Sequence, residues 1–247
     1  MSNFLQSVSE NVLFVFQFLG IVVVLFVIAA VADKLIQKKN GIKEKSFTTR
    51  KIAIVGMFSA IAAILMIFQF SIPFIAPAFY QLDFSEVPAL VATFAFGPVA
   101  GIFVEFCKIL LHLVITGTTT VFVGELANFA VGCSMILPAA IIYEFKKNKK
   151  NAILSVAVGT ICMTIFGTVF NAVYLLPAFA KLYGMDLNTI IGYGTAINPA
   201  IKDLTTFVII AVAPINLLKG TLVSIITMLI YKPLSPIIKA GNSSRKG

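Results

Sequence analysis

Residues 11–32 read NVLFVFQFLGIVVVLFVIAAVA, an unbroken apolar run without one charged side chain. A helix of about twenty such residues crosses the ~30 Å of hydrocarbon in a bilayer. The rest of the chain repeats the theme. Of its 247 residues 59% are hydrophobic and 12% charged, against roughly 25% charged in an ordinary soluble domain, and the mean hydropathy is +1.01. The apolar stretches are continuous and lack the ten-residue alternation of a transmembrane barrel. The sequence therefore predicts an all-α integral membrane protein. No segment between spans is long enough to bury a soluble core.

The net charge of +9 raises the question of a nucleic-acid partner, which its distribution answers in the negative. Lys34, Lys38, Lys39, Lys43, Lys45, Arg50 and Lys51 precede one span, Lys146, Lys147, Lys149 and Lys150 separate two others, and Lys232, Lys239, Arg245 and Lys246 follow the last. Only Lys108, Lys181, Lys202 and Lys219 of the 19 basic residues lie elsewhere. Lysine and arginine beside spans mark the cytoplasmic side and meet anionic lipid. The AVA at 30–32 looks like a signal-peptidase site, yet residues 1–10 hold no Lys or Arg and the basic cluster follows the span. That order predicts an uncleaved anchor with its extreme N-terminus outside.

The expected organisation is an extra N-terminal transmembrane helix plus a basic cytoplasmic linker (1–50, the linker from 33), a six-helix membrane domain (51–232) and a cytoplasmic tail (233–247). The six spans are placed at 51–70, 86–97, 98–113, 124–144, 151–180 and 203–231. Gly97-Pro98 breaks the second from the third, Pro214 is expected to kink the sixth, and 181–200 reads as a loop. The loops at 71–86, 113–123 and 181–202 then lie outside, and the basic clusters lie inside. Cys107, Cys133 and Cys162 each sit in a span and His112 is the single histidine. No Cys/His metal spacing occurs, and the cysteines read as small packing residues.

Polar groups inside spans are costly and usually have a role. Asn171 lies in the fifth span with Tyr174 three residues on. Asn216 and Lys219, at i and i+3, share a face of the sixth, and no acid on that helix neutralises the lysine. Glu125 and Asn128 share a face of the fourth. Glu105 and Lys108, on one face of the third, read most simply as an intrahelical ion pair; Asn171 could equally be a bridge between helices. An amide beside an ammonium suits a planar neutral ligand with alternating carbonyl and N–H groups. Gly56 with Ala60, and Ser59 with Ala63, form a small-residue stripe suited to close helix contact, either internal or with a partner.

In order along the chain stand IPF (72–74), LDFSEVP (82–88), ATFAFGPVAG (92–101), ANF (127–129), MT (163–164) followed by Asn171, LLP (175–177) and INLLKG (215–220). On these segments the chain resembles the riboflavin-specific substrate-binding (S) components of energy-coupling factor (ECF) transporters, the RibU family, over residues 51–231. The resemblance implies a six-helix S-component core with both core termini cytoplasmic, in a bacterial cell membrane, with one helix added at the N-terminus. It implies that riboflavin, a transported ligand and not a cofactor, binds tightly near the outer face beneath the 71–90 loop. Asn171, Asn216 and Lys219 would grip the flavin edge, with Asn128 and Tyr174 nearby. Leu82 and Phe84 would cover the ring, and Tyr80, Phe84 or Leu176 would stack on it. Asp83 and Glu86 would accept from ribityl hydroxyls, unless Glu86 caps the second helix beside Ser85.

The partners implied are a transmembrane coupling protein and two cytoplasmic ATPases, docked through Gly56, Ser59, Ala60 and Ala63. The chain itself has no G-x-x-x-x-G-K-[ST] phosphate loop and is expected not to be an enzyme. The loop at 181–202 is longer than the family pattern. FMN is the nearest alternative ligand, with Lys181 or Lys202 to meet its phosphate, followed by another vitamin on the same scaffold. An ion-coupled secondary transporter using Glu105, Glu125 or Lys108 is the alternative of a different class. Lys219→Ala and Asn216→Ala are both expected to weaken flavin binding without unfolding the protein.

Overall fold

The computed structural model describes residues 12–41, 48–118, 120–234 and 236. The expected N-terminal extracellular segment, residues 42–47 of the linker and most of the tail lie outside the described residues. The first helix, α1 (Val12–Asn40), extends beyond the apolar run of 11–32. Lys34, Lys38 and Lys39 therefore sit on its last turns and not on a linker. Lysine is a good helix former, and no glycine or proline stands between Gly20 and Gly41. The Lys39 ammonium lies 3.8 Å from the ring centroid of Phe145.

Helix α2 (Thr49–Ile67) starts at Thr48, whose side chain accepts from the Lys51 N–H. A short hairpin, β1 (Phe70–Ser71) and β2 (Gln81–Leu82), pairs antiparallel with Phe70 opposite Leu82. It closes the proline-rich loop into a lobe. Helix α3 (Glu86–Phe96) has all eleven of its residues buried. At about 1.5 Å per residue it is too short to cross a bilayer and forms the central post of the core. Gly97, at φ 86°, makes the reversal that a residue with a Cβ resists, and Pro98 opens α4 (Pro98–Thr116).

Helix α5 (Val123–Phe145) leads to α6 (Lys149–Phe170), which continues through a π turn (Asn171–Leu175) into α7 (Leu176–Tyr183). The expected loop at 181–200 instead contains α8 (Leu187–Ile197), whose Ile190, Ile191 and Gly194 are buried. Its glycines and flanking turn residues conceal an amphipathic helix, and Gly194 fits because Phe207 lies where a Cβ would project. Then α9 (Leu204–Phe207) passes through a second π turn (Val208–Val212) into α10 (Ala213–Tyr231). Asp203 and Thr206 form a reciprocal capping box at its start.

Pro214 thus produces a widened turn before it, and Pro177 follows the other π turn in the same way. A proline ring clashes with the carbonyl four residues back, here Val173 and Ile210, and the i→i+5 spacing relieves that clash.

Among the described residues five helices are long and apolar enough to cross a membrane: Val15–Lys39, Pro98–Thr116, Val123–Phe145, Lys149–Tyr183 and Leu204–Tyr231. Two shorter apolar helices, Lys51–Ile67 and Glu86–Phe96, accompany them. The outer faces carry exposed apolar side chains such as Val24, Val27, Ile165, Val169, Ile225 and Leu229. Such faces match lipid and would be anomalous in water. One apolar cluster unites Phe18, Val22 and Ala29 of α1 with α3, α4, α5 and α6. A second joins Ala76 and Leu82 of the lobe to Leu176, Ile190, Phe207 and Ile215.

Candidate functional site

Between these clusters lies a cavity of about 220 Å³. A single water needs only about 10–15 Å³ of such space, so the cavity is far larger than a one-water packing defect. The lobe contributes Phe79, Tyr80 and Gln81, with Met66 and Gln69 beside it. Helix α4 contributes His112, the turn before α5 contributes Thr120, and the start of α5 contributes Glu125 and Asn128. Asn171, Leu175 and Phe179 come from the α6–α7 helix, and Asn216 and Lys219 from α10.

Asn171 is fixed at both ends. Its Nδ2 donates to Gly167 O at 2.7 Å, and its Oδ1 accepts from the Tyr80 hydroxyl at 2.7 Å. Asn128 and Asn216 differ: among the described residues neither amide has a protein hydrogen-bond partner. Asn216 packs closely against α6. A Cβ on Gly167 would lie 2.8 Å from Asn216 Nδ2, so the bare backbone of α6 is what admits the amide.

Lys219 reaches the cavity from a buried ion cluster. Its Nζ lies 3.0 Å from Asp83 Oδ2 and 2.9 Å from Glu86 Oε1. Lys108 Nζ lies 3.2 Å from the same Glu86 oxygen and 2.7 Å from Glu105 Oε2, and donates to Ser85 Oγ at 2.7 Å. Asp83 Oδ1 accepts from the Ser85 N–H at 2.8 Å. Burial raises the Asp83 carboxyl, but Lys219, Lys108 and the Ser85 hydrogen bonds outweigh it and hold the group down at about 2. Three carboxyl groups thus share two ammonium groups, and among the described residues Glu86 Oε2 and Glu105 Oε1 have no hydrogen-bond partner.

This geometry revises several expectations. No acid on its own helix neutralises Lys219, but Asp83 and Glu86 do so across the fold. Those two acids face the lysines and lie behind the cavity wall, so in this structure they neither cap α3 nor line the cavity. Ser85 precedes α3 without a side-chain cap bond. Leu82 and Leu176 are each 1% exposed inside the second apolar cluster. Phe84 packs against the first cluster, its ring 6.0 Å from that of Phe70. Tyr174 turns away from Asn171 because the π turn rotates the i+3 position off the cavity face. Leu175 takes that face, while the Tyr174 hydroxyl donates to Gln17 Oε1 of α1. Of the expected ligand residues the cavity gathers Tyr80, Asn128, Asn171, Asn216 and Lys219. It adds Gln69, Gln81, His112 and Thr120, whose only sequence signal is their place at span ends and in the lobe.

The small-residue stripe on α2 divides. Gly56 and Ala60 are exposed, whereas Ser59 and Ala63 are each 1% exposed and face inward, Ser59 donating to Val55 O.

The family model of the ECF transporter substrate-specific component matches residues 50–231. This chain is an ECF transporter S component. The S component is 34% identical over 198 residues to the riboflavin transporter FmnP of Bacillus subtilis strain 168, covering 79% of this chain and 97% of that protein. It is 37% identical over 190 residues to the riboflavin transporter RibU of Staphylococcus aureus strain TCH60, covering 77% of this chain and 93% of that one. A solved structure of the S component of a bacterial ECF transporter matches with a TM-score of 0.61 at 37% identity, over 77% of this chain and 98% of its own. Family and relatives are transporter components and not enzymes.

Proposed function

We propose that this S component binds riboflavin in the cavity between the lobe, α5, α6 and α10, and passes it inward as part of an ATP-driven transporter. The observation that carries this reading is the pair of uncommitted amides, Asn128 and Asn216, facing one polar-walled cavity with Tyr80 and Phe79 at its edge. A flavin edge alternates carbonyl oxygens with an N–H, which amides can match from both sides. Two relatives named riboflavin transporters support the ligand class.

The cavity opens beside the lobe, opposite the Lys146–Lys150 basic cluster, and the positive-inside rule puts that cluster in the cytoplasm. The ligand therefore enters from outside a bacterial cell membrane, and the core termini are cytoplasmic. The substrate-binding unit is 51–232, preceded by the added helix and linker and followed by a cytoplasmic tail. A membrane coupling protein and two cytoplasmic ATPases supply the energy. Gly56 and Ala60, exposed between Ile52, Met57, Ile61 and Ile64 on α2, offer the coupling protein a smooth contact.

The test is titration of riboflavin fluorescence with detergent-purified protein, after recording its visible absorbance. The chain has no tryptophan, so the ligand's emission is read directly. Stoichiometric quenching is expected. A colourless protein that quenches neither riboflavin nor FMN overturns the assignment.

A further inference from the structure

Helix α1 lies outside the family match, which begins at residue 50, yet it is built into the core. Phe18, Val22 and Ala29 are buried in the main apolar cluster, and the Phe26 ring meets Phe103 and Phe106 of α4 edge-on at 4.8 and 5.7 Å. Two of its side chains touch the supports of the cavity wall. The ring of Phe18 lies 6.4 Å from Phe122 and 6.3 Å from Phe129. Gln17 accepts from Tyr174 in the π turn.

Each support needs holding. Val121 and Phe122 adopt positive φ values of 47° and 69°, a left-handed conformation that a β-branched or bulky residue rarely takes. Such a turn persists only where its surroundings over-determine it. This one aims polar groups into the cavity. Thr118 Oγ1 accepts from the Phe122 N–H at 3.2 Å. Thr120 Oγ1 accepts from the Gly124 N–H at 3.0 Å and donates to Glu125 Oε2 at 3.0 Å. Thr120 and Glu125 both line the cavity. On the other wall, Tyr174 is stacked on Phe170 at 5.3 Å and sits between Asn171 and Leu175, in a π turn that lacks regular helical bonding.

We propose that α1 is a positioning helix for the ligand cavity, Phe18 holding the Val121–Phe122 turn and Gln17 holding the π turn through Tyr174. Neither residue lines the cavity, so both act through others. The proposal takes the cavity as the flavin site, and its test separates the two claims.

Phe18→Ala and Gln17→Leu are made in the full chain and purified in detergent. Amide hydrogen exchange is followed at residues 120–126 and 171–176, and riboflavin is titrated. Phe18→Ala is expected to speed exchange locally at 120–126, and Gln17→Leu at 171–176. Each is expected to weaken riboflavin roughly tenfold, about the effect of losing one fixed conformation. Gln17→Glu keeps the acceptor and is expected to restore exchange and affinity. Unchanged exchange in both segments, or a uniform rise over the whole chain, overturns the positioning role. If the unaltered protein binds no riboflavin, the flavin reading fails, and the exchange pattern alone decides the role of α1.

Discussion

Tyr80 donates a 2.7 Å hydrogen bond to Asn171 Oδ1, joining residues 91 positions apart. That bond ties the lobe between β1 and β2 to the π turn of α6. With Nδ2 committed to Gly167 O, the amide keeps one N–H and one lone pair for a ligand. Tyr80→Phe removes the tie and leaves the ring in place. A single neutral hydrogen bond contributes about 1 kcal/mol. Riboflavin affinity is therefore expected to fall about fivefold, with little change in thermal unfolding. Affinity equal to the unaltered protein in fluorescence titration would show that the tie plays no part in binding.

Lys219 has a structural duty that its sequence neighbours do not reveal. Lys219→Ala leaves Asp83 and Glu86 without their nearest cation, and breaking a buried pair costs about 3–5 kcal/mol. The variant is expected to lose stability as well as riboflavin binding, contrary to the expectation from sequence. Lys219→Met combined with Asp83→Asn and Glu86→Gln is expected to regain most of the stability and none of the binding. Thermal unfolding in detergent, run beside the titration, separates the two effects.

Asn216 offers the opposite case. Its amide makes no hydrogen bond among the described residues, so Asn216→Ala is expected to leave the unfolding midpoint unchanged. Affinity should fall roughly tenfold to a hundredfold, the range for losing one or two ligand hydrogen bonds. Gly167→Ala, whose Cβ would press on Asn216 Nδ2, is expected to reproduce the binding loss by displacing the amide. A Gly167→Ala protein with full affinity would mean that the amide's position is immaterial.

Acid provides a further check. The Asp83 carboxyl is held at about 2, below its ordinary 3.8. A group lowered by folding stabilises the fold fully above its ordinary value and loses that contribution as pH falls through its folded one. The Asp83–Lys219 contact is therefore expected to be insensitive between pH 5 and pH 8. Its contribution fades between about pH 4 and pH 2. Unfolding midpoints of the unaltered protein and Asp83→Asn should differ at neutral pH and converge in that acid window. A constant difference down to pH 2 would contradict the ion pair.

Apolar span length alone determined that this chain is a helical membrane protein, because a bilayer sets the number of apolar residues a crossing helix needs. The break at Gly97-Pro98 was equally legible, since few other residue pairs end one helix and begin the next so directly. The polar residues worth noticing were visible too: Asn171, Asn216 and Lys219 stand out because charge and amide groups are costly in apolar surroundings. Their neighbours in space were not. Lys219 meets Asp83 across 136 positions, a pairing fixed only when the lobe packs against α10. Tyr174 left the cavity face because a proline three residues later widened the turn, shifting the helical period on which a sequence reading depends. The 181–200 segment hid α8 because its burial comes from Phe207 and its neighbours, and not from its own composition. The sequence by itself supplied the spans and the chemical groups. Tertiary packing chose which groups neutralise one another inside the core and which remain free for a ligand.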